Sequence, residues 1–334
     1  MTAVRRFLPV PGLLPVCLLL LLSACAPQIA PPGTEAVEPR LVERPFAVMD
    51  DGTRLPLTVW RPDGDVTAAA VALHGFGDYA NAYAELGPDL AARGVAVYAA
   101  DQRGFGEAPG YGMWHGHERL ARDAETLVRL ARRDTPGVPV YLIGESMGGA
   151  VAMLALADPE TEAAGAVLSA PAVWGRDWMP IVQALGLDIL AHTLPWLPLE
   201  PRGIRITPSD NTAMLRALGR DPLFIKRPRV DLVHGLVGLM DAAQAAAPDL
   251  KRPVLVLYGR RDELVPRRPT CAMLRALPPD RRVALYGEGY HMLFRDLKRA
   301  RVIADIAAWT RDPAAPLPSG EEADTATLAR FCGE

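Results

Sequence analysis

Ser146 lies in the stretch VYLIGESMGGAVAMLALA (Val140 to Ala157), where a strand-like apolar run meets Gly144 and a helical pattern begins directly after Gly148 and Gly149. Gly144-Glu145-Ser146-Met147-Gly148 fits G-x-S-x-G between a strand and a helix, the setting that exposes a serine hydroxyl as a nucleophile. Glycine permits a turn too sharp for a β-carbon. The free N–H groups and dipole at the following helix start favour negative charge. Attack on a carbonyl carbon is the chemistry that suits such a corner. A serine hydroxyl needs a base, and the base needs an acid to hold it. After Ser146 the chain offers His192, His234 and His291. The first two fall in a segment with no convincing buried strand. His291 follows a strand in YGEGYHML and is the expected base. In LYGRRDELVP, Asp262 and the adjacent Glu263 follow another buried run. A carboxylate there would fix the imidazole tautomer and stabilise the imidazolium.

An acyl-transfer site also needs two backbone N–H donors for the oxyanion, one after the nucleophile and one from the loop after an early strand. Met147 is expected to supply the first, and Phe76 in LHGFGD (Leu73 to Asp78) the second. His74 in that loop is expected to bond loop backbone. No metal or cofactor is implied by these groups.

The elements that must position these residues alternate. RPFAVMDDGTRLPLTVWRP reads as a hairpin turning at Asp51-Gly52. AAAVALHG, VAVYAADQRGFG, VPVYLIG, AAGAVLSAP, RPVLVLYG and RRVALYG read as strands. NAYAELGPDLAARG, HERLARDAETLVRLARRD, MGGAVAMLALA and DLKRARVIADIAAWTRD read as helices, the second amphipathic with Leu120, Leu127, Leu130 and Ala131 at helical spacing. This alternation predicts an α/β fold with a mostly parallel twisted sheet and helices on both faces. Residues 172–250 break the rhythm and read as a helical cap inserted into a core of residues 45–171 and 251–312, with 313–334 as a C-terminal tail. The cap's WGRDWMPIVQALGLDILAHTLPWLPL holds Trp174, Trp178 and Trp196 among aliphatics, which suits an acyl-binding lid as well as it suits plain packing.

HGFGDYANAYAELGPDLAARGVAVYAADQRGFG, GESMGG, LSAP, YGRRDELVP and GYHML together resemble the monoacylglycerol lipase and lysophospholipase group of α/β-hydrolases (serine aminopeptidase S33-like), from about Phe46 to Trp309. The resemblance implies a serine esterase with a cap between the sixth and seventh strands. It also implies Asp262 as the acid, because G-x-x-D-x-x-V-P resembles the hydrolase acid loop. Substrates would be monoacylglycerols, lysophospholipids or smaller carboxylic esters. Two departures stand out. Glu107 occupies a place where the family often has serine, and the cap has only weak likeness. Transfer of the acyl group to an alcohol would use the same three groups. Ser146 argues against dehalogenases and epoxide hydrolases, which use an aspartate nucleophile on this fold. A non-catalytic lipid-binding lipoprotein is the rival from another class, and the presence of all three candidate groups argues against it.

The N-terminus carries Arg5 and Arg6, an apolar run ending at Leu22, then small residues. This is the layout of a secretory signal peptide, and the run is too short and proline-broken for a membrane-spanning helix. Leu22-Ser23-Ala24-Cys25 resembles the bacterial lipobox, which implies removal of residues 1–24 and acylation of Cys25. Ala26 in the next position points to the periplasmic side of the outer membrane. Residues 25–44, proline-rich, then read as an extended, unpacked tether that holds the enzyme at the membrane. The formal charge of the 334-residue chain is −3, and loss of Arg5 and Arg6 makes it −5. No basic stripe marks a nucleic-acid partner, and protein partners are left open. Cys271 and Cys332 would remain, free to pair in an oxidising compartment or to stay separate thiols.

Overall fold

The computed structural model describes residues 27–42, 46–200 and 206–333. The expected signal segment and Cys25 lie outside them. The described residues build nine strands: β1 (Arg40–Val42), β2 (Phe46–Val48), β3 (Arg54–Trp60), β4 (Ala68–Leu73), β5 (Val95–Ala100), β6 (Val140–Glu145), β7 (Ala166–Ser169), β8 (Val254–Gly259) and β9 (Arg282–Tyr286). They form one sheet in the order β1-β2-β3-β5-β4-β6-β7-β8-β9. β1, β2 and β3 pair antiparallel with their neighbours, and β4 to β9 run parallel.

The parallel strands are apolar without alternation because both faces are covered. In β4, Ala69, Val71 and Leu73 join one core, while Ala68, Ala70 and Ala72 join the other. The first core receives α2 (His117–Asp134) and α3 (Met147–Ala157); the second receives α1 (Leu86–Ala91) and α8 (Arg299–Arg311). α2 buries Leu120, Ala124, Leu127 and Ala131, the apolar stripe of a surface helix, and the one carboxylate it buries, Asp123, is paired with Arg103. α3 is apolar all round and buried nearly all round. It must be, because it runs from the sheet edge through the first core.

The segment between β7 and β8 contains α4 (Ile181–Thr193), α5 (Thr212–Arg220) and α6 (Val230–Ala246), with no strand among its described residues. α7 (Arg267–Ala276) links β8 to β9. The insertion therefore follows the seventh strand, not the sixth, because β1 adds a strand at the N-terminal edge.

That extra strand corrects the expectation of an unpacked tether. Ala30 is buried and its N–H donates to Trp114 O at 2.7 Å; Gly33 N–H donates to Asp51 Oδ2 at 2.8 Å and Val37 N–H to Asp50 O at 3.0 Å. The arm's amides find acceptors on the β2–β3 turn, and the proline-rich composition does not prevent it. The region expected to be one helix after Asn81 is also divided: a 3-10 turn at Ala80–Tyr83 precedes the short α1. At the C-terminus, the described residues 313–333 of the expected tail are packed on the core. Leu285 N–H donates to Glu321 O at 2.9 Å, and α9 (Thr325–Cys332) is capped by Asp324, whose Oδ1 accepts from Thr327 N–H at 2.7 Å. Phe331 packs on Tyr258, and Cys332 forms a disulfide with Cys271 on α7.

Candidate active site

The chain leaves β4 for β5 on one side and returns to β6 on the other, so the order reverses at β4. Crevices at the carboxyl ends of strands at such a point are where α/β sheets bind ligands. The loop after β4 carries Gly75 and Phe76, and the corner after β6 carries Ser146.

Ser146 has φ 52° and ψ −114°, a conformation that non-glycine residues adopt only when the surroundings hold them there. The hold is visible. Ser146 N–H donates to Ser169 O at 2.9 Å, and Ser146 O accepts from Ala150 and Ala172 N–H at 3.1 and 2.9 Å. Both glycines of the motif are required by close approach. A β-carbon on Gly148 would lie 1.8 Å from Leu73 O, and one on Gly144 would lie 2.3 Å from Gly148 O.

β8 and β9 are adjacent and parallel, which brings their following loops together. Arg261 N–H donates to Gly289 O at 2.9 Å. Across this junction His291 Nδ1 meets Asp262 Oδ2 at 2.8 Å. The other Asp262 oxygen, Oδ1, accepts from Leu264 and Val265 N–H at 2.7 and 3.0 Å. The carboxylate is thus held by three donors, and its acceptor role places the ring proton on Nδ1 and leaves Nε2 with its lone pair. The adjacent Glu263 is engaged elsewhere, accepting from Thr207 N–H at 2.8 Å. His192 and His234 stay within the insertion, their rings 5.9 Å apart, with His234 Nε2 on Asp188 Oδ1 at 3.1 Å. His74 is fully buried; Gln102 N–H donates to its Nε2 at 3.0 Å and its Nδ1 meets Gly75 O at 2.9 Å.

Burial opposes a charge on His291, but the Asp262 charge and hydrogen bond outweigh it, with help from Glu145, and the imidazole pKa is raised above the ordinary value. A base must be neutral to act. The sign follows: kcat/KM for a soluble ester is full above the raised pKa and falls as pH drops through it. The acid limb is therefore expected above the ordinary histidine value of about 6.5. A pH–rate profile checks this, and a limb below that value would mean that burial, not Asp262, governs the ring.

Ser146 and His291 face a common cavity of about 580 Å³ between the sheet and the insertion. Its wall is mostly apolar: Trp174, Leu215, Leu218, Leu236, Met240 and Leu264 among others. Trp178 and Trp196 do not line it and are exposed. Phe76 lines the cavity beside Ser146, and Met147 begins α3. Among the described residues neither the Phe76 nor the Met147 backbone N–H donates to a protein acceptor. Both are free to meet an oxyanion.

One buried cluster beneath this cavity escapes sequence reasoning. Arg295 Nη2 lies 2.7 Å from Asp78 Oδ2 and 3.1 Å from Glu145 Oε2, with all three side chains at least nine-tenths buried. It joins the Phe76 loop, the residue before Ser146 and the loop after His291. Burial raises the Glu145 pKa and the Arg295 charge opposes that rise. The only signal in the sequence is a carboxylate, Glu145, at the end of an otherwise apolar strand.

The sequence profile of the family described as "Serine aminopeptidase, S33" (Hydrolase_4) matches residues 64–298. A monoacylglycerol lipase of Mycolicibacterium smegmatis is 29% identical over 262 residues, covering 77% of this chain and 93% of the relative. The Homo sapiens monoglyceride lipase is 30% identical over 272 residues, covering 79% and 89%. Among solved structures, a soluble variant of monoglyceride lipase from Saccharomyces cerevisiae in complex with a substrate analog superposes with a TM-score of 0.69 at 19% identity, covering 86% of this chain and 100% of that one.

Proposed function

We propose, for a chain that belongs to the Hydrolase_4 (serine aminopeptidase S33) family of α/β-hydrolases, that it is a membrane-anchored serine hydrolase of carboxylic esters, with monoacylglycerol or lysophospholipid as substrate. The observation that carries this reading is the His291–Asp262 pair opening, with Ser146, onto one apolar cavity.

The reading assigns each group a step. Ser146 Oγ attacks the ester carbonyl while His291 Nε2 takes its proton. Asp262 orients the ring and stabilises the imidazolium. The Phe76 and Met147 N–H groups hold the oxyanion, where preorganised donors contribute most. The intermediate collapses to an acyl-Ser146, and the imidazolium gives its proton to the departing alcohol. Water, deprotonated by His291, repeats the attack, releases the fatty acid and restores Ser146.

The cavity favours an ester over a peptide N-terminus. Its carboxylates, Asp78 and Glu145, both contact Arg295, so each is already engaged with a cation of the protein. The relatives named monoacylglycerol and monoglyceride lipases support the same substrate class. Anchoring rests on the signal-like N-terminus and Cys25, and it would place the enzyme in a bacterial envelope on the periplasmic face of the outer membrane.

A panel of monoacylglycerols, lysophospholipids and p-nitrophenyl esters of graded chain length tests the reading. Each methylene buried in an apolar site contributes about 0.8 kcal/mol. Hence kcat/KM is expected to rise about fourfold per methylene until the cavity is full. A flat response to chain length would contradict an acyl-binding cavity. Radiolabelled fatty acid incorporated into the wild-type chain but not into Cys25→Ala tests the anchor.

A further inference from the structure

The chain beyond α8 lies outside the residues matched by the family profile, 64–298, and it returns to the sheet. β9 is the last strand, and residues 321–323 cover its open edge. Leu285 N–H donates to Glu321 O at 2.9 Å, Ala323 N–H donates to Val283 O at 2.8 Å, and Arg282 donates to the Glu322 carboxylate through two N–H groups at 2.6 and 2.7 Å. An edge covered in this way is closed to pairing with another chain. That need ends at residue 323, yet the chain runs on through α9.

α9 carries Phe331 and Cys332 to the two ends of the loop that bears Asp262, residues 260–266 between β8 and α7. At the β8 end Phe331 is buried and meets the Tyr258 ring edge-on, with centroids 5.4 Å apart, a favoured aromatic arrangement. At the α7 end Cys332 is bonded to Cys271. Arg260 at the start of the loop and Arg267 just past its end place their guanidinium groups 5.8 and 5.9 Å from the centre of the Phe331 ring. Tyr258 passes the contact inward, because its hydroxyl donates to Val265 O at 2.7 Å. Val265 N–H in turn donates to Asp262 Oδ1 at 3.0 Å, and Asp262 Oδ2 meets His291.

We propose that residues 313–333 form a strap that positions the acid of the triad: Phe331 and Tyr258 are positioning residues, and the Cys271–Cys332 bond fixes the end of the strap, so that Asp262 stays on His291 through the reaction. This role rests on the Ser146–His291–Asp262 reading above. The acid must hold the imidazole in one tautomer and one orientation. Loops hold side chains less closely than strands and helices do, and the strap ties this loop to both. Three charged groups face the His291 ring, Asp262, Glu145 and Arg295, and of these only Asp262 lies on the bracketed loop. The Asp262 charge and hydrogen bond raise the imidazole pKa against burial, so a loosened loop moves the acid limb of kcat/KM to lower pH.

The test uses the full-length protein on p-nitrophenyl butyrate, at a temperature where circular dichroism shows every variant folded. A misplacement of about 1 Å near the chemistry costs on the order of a hundredfold, so Phe331→Ala is expected to lower kcat about ten- to a hundredfold. Its acid limb is expected to lie below that of the unsubstituted protein. Phe331→Leu, which refills the site, is expected to restore the limb and to bring kcat within about threefold of the unsubstituted value. Cys332→Ala leaves Cys271 as a small buried thiol and is expected to move both readouts in the same direction as Phe331→Ala. Tyr258→Phe keeps the ring and removes one hydrogen bond. It is expected to lower kcat about threefold or more, and it carries the test if Phe331→Ala does not fold. Leu127→Ala on α2 is the control: it truncates the core at comparable cost and is expected to leave kcat and the limb unchanged.

Strap variants that lose thermal stability but keep the kcat and acid limb of the unsubstituted protein overturn the proposal. So does an equal effect of Leu127→Ala, since the strap would then be a structural part only. A second readout needs no turnover. The His291 Nδ1 proton, hydrogen-bonded to Asp262, gives a far-downfield proton resonance, assigned by its loss in His291→Gln. It is expected to shift upfield or broaden in Phe331→Ala and Tyr258→Phe, and to stay in place in Leu127→Ala. Its absence from the unsubstituted protein would overturn the proposal, because there would be no held pair to support. A protein without ester hydrolysis whose resonance follows the strap variants would overturn the hydrolase reading and retain the positioning role. An active protein whose resonance and acid limb ignore those variants would do the reverse.

Discussion

Ser146→Ala is expected to lower kcat for ester hydrolysis by about 10⁴–10⁶-fold while leaving the protein folded. The two halves of the prediction have separate causes. Activity falls because no other hydroxyl in the corner after β6 replaces Ser146 Oγ at the cavity. The residual rate over water would come from the Phe76 and Met147 N–H groups and from substrate binding, which the substitution leaves in place. The fold survives because the corner is held by backbone. Ser146 N–H and O make three hydrogen bonds to Ser169, Ala150 and Ala172, and alanine keeps all of them. The stability change should stay within about 1 kcal/mol, ordinary for a single substitution. Steady-state kinetics with p-nitrophenyl butyrate and thermal unfolding measure the two halves. A variant that keeps wild-type turnover would remove Ser146 from the mechanism.

Arg295→Met is expected to be the most damaging change to stability, at about 3–5 kcal/mol, because it strands buried charge. Asp78 and Glu145 both contact Nη2 of the guanidinium and both are nearly inaccessible. Without Arg295, Glu145, whose pKa burial already raises, must take up a proton or admit water. The double variant Arg295→Met, Glu145→Gln is then expected to recover part of the loss, since a neutral amide strands no charge. Chemical denaturation of the three proteins tests this. Additive losses, with no recovery in the double variant, would show that the cluster does not act as one coupled unit.

How much could be read from the residues differs from element to element. The corner at Ser146 was legible because it is local: one apolar strand, the glycines and one apolar helix lie within eighteen consecutive residues. The parallel sheet was legible for the same reason, since runs such as AAAVAL and VLVLY have no polar face. Asp262 and Glu263 are adjacent and chemically alike, and only the folded chain separates them, one turned to His291 and the other to Thr207. The Asp78–Arg295–Glu145 cluster joins three distant segments, and no short-range pattern encodes such a meeting. The N-terminal arm misled for a different reason. Its prolines suit an extended chain, and an extended chain is also what an edge strand requires, so composition alone could not tell a tether from β1. The pairing of Cys271 with Cys332 was open because a 61-residue separation says nothing about distance.

The central claim is that Ser146 is the nucleophile and His291 its base. The most direct measurement is peptide mapping of the wild-type protein after inactivation by a fluorophosphonate, with the labelling rate followed against pH. A single adduct on Ser146, formed in step with the loss of hydrolysis and slowing along the same acid limb as kcat/KM, is the predicted result. An adduct on another residue, or hydrolysis that persists in protein fully labelled at Ser146, would contradict it.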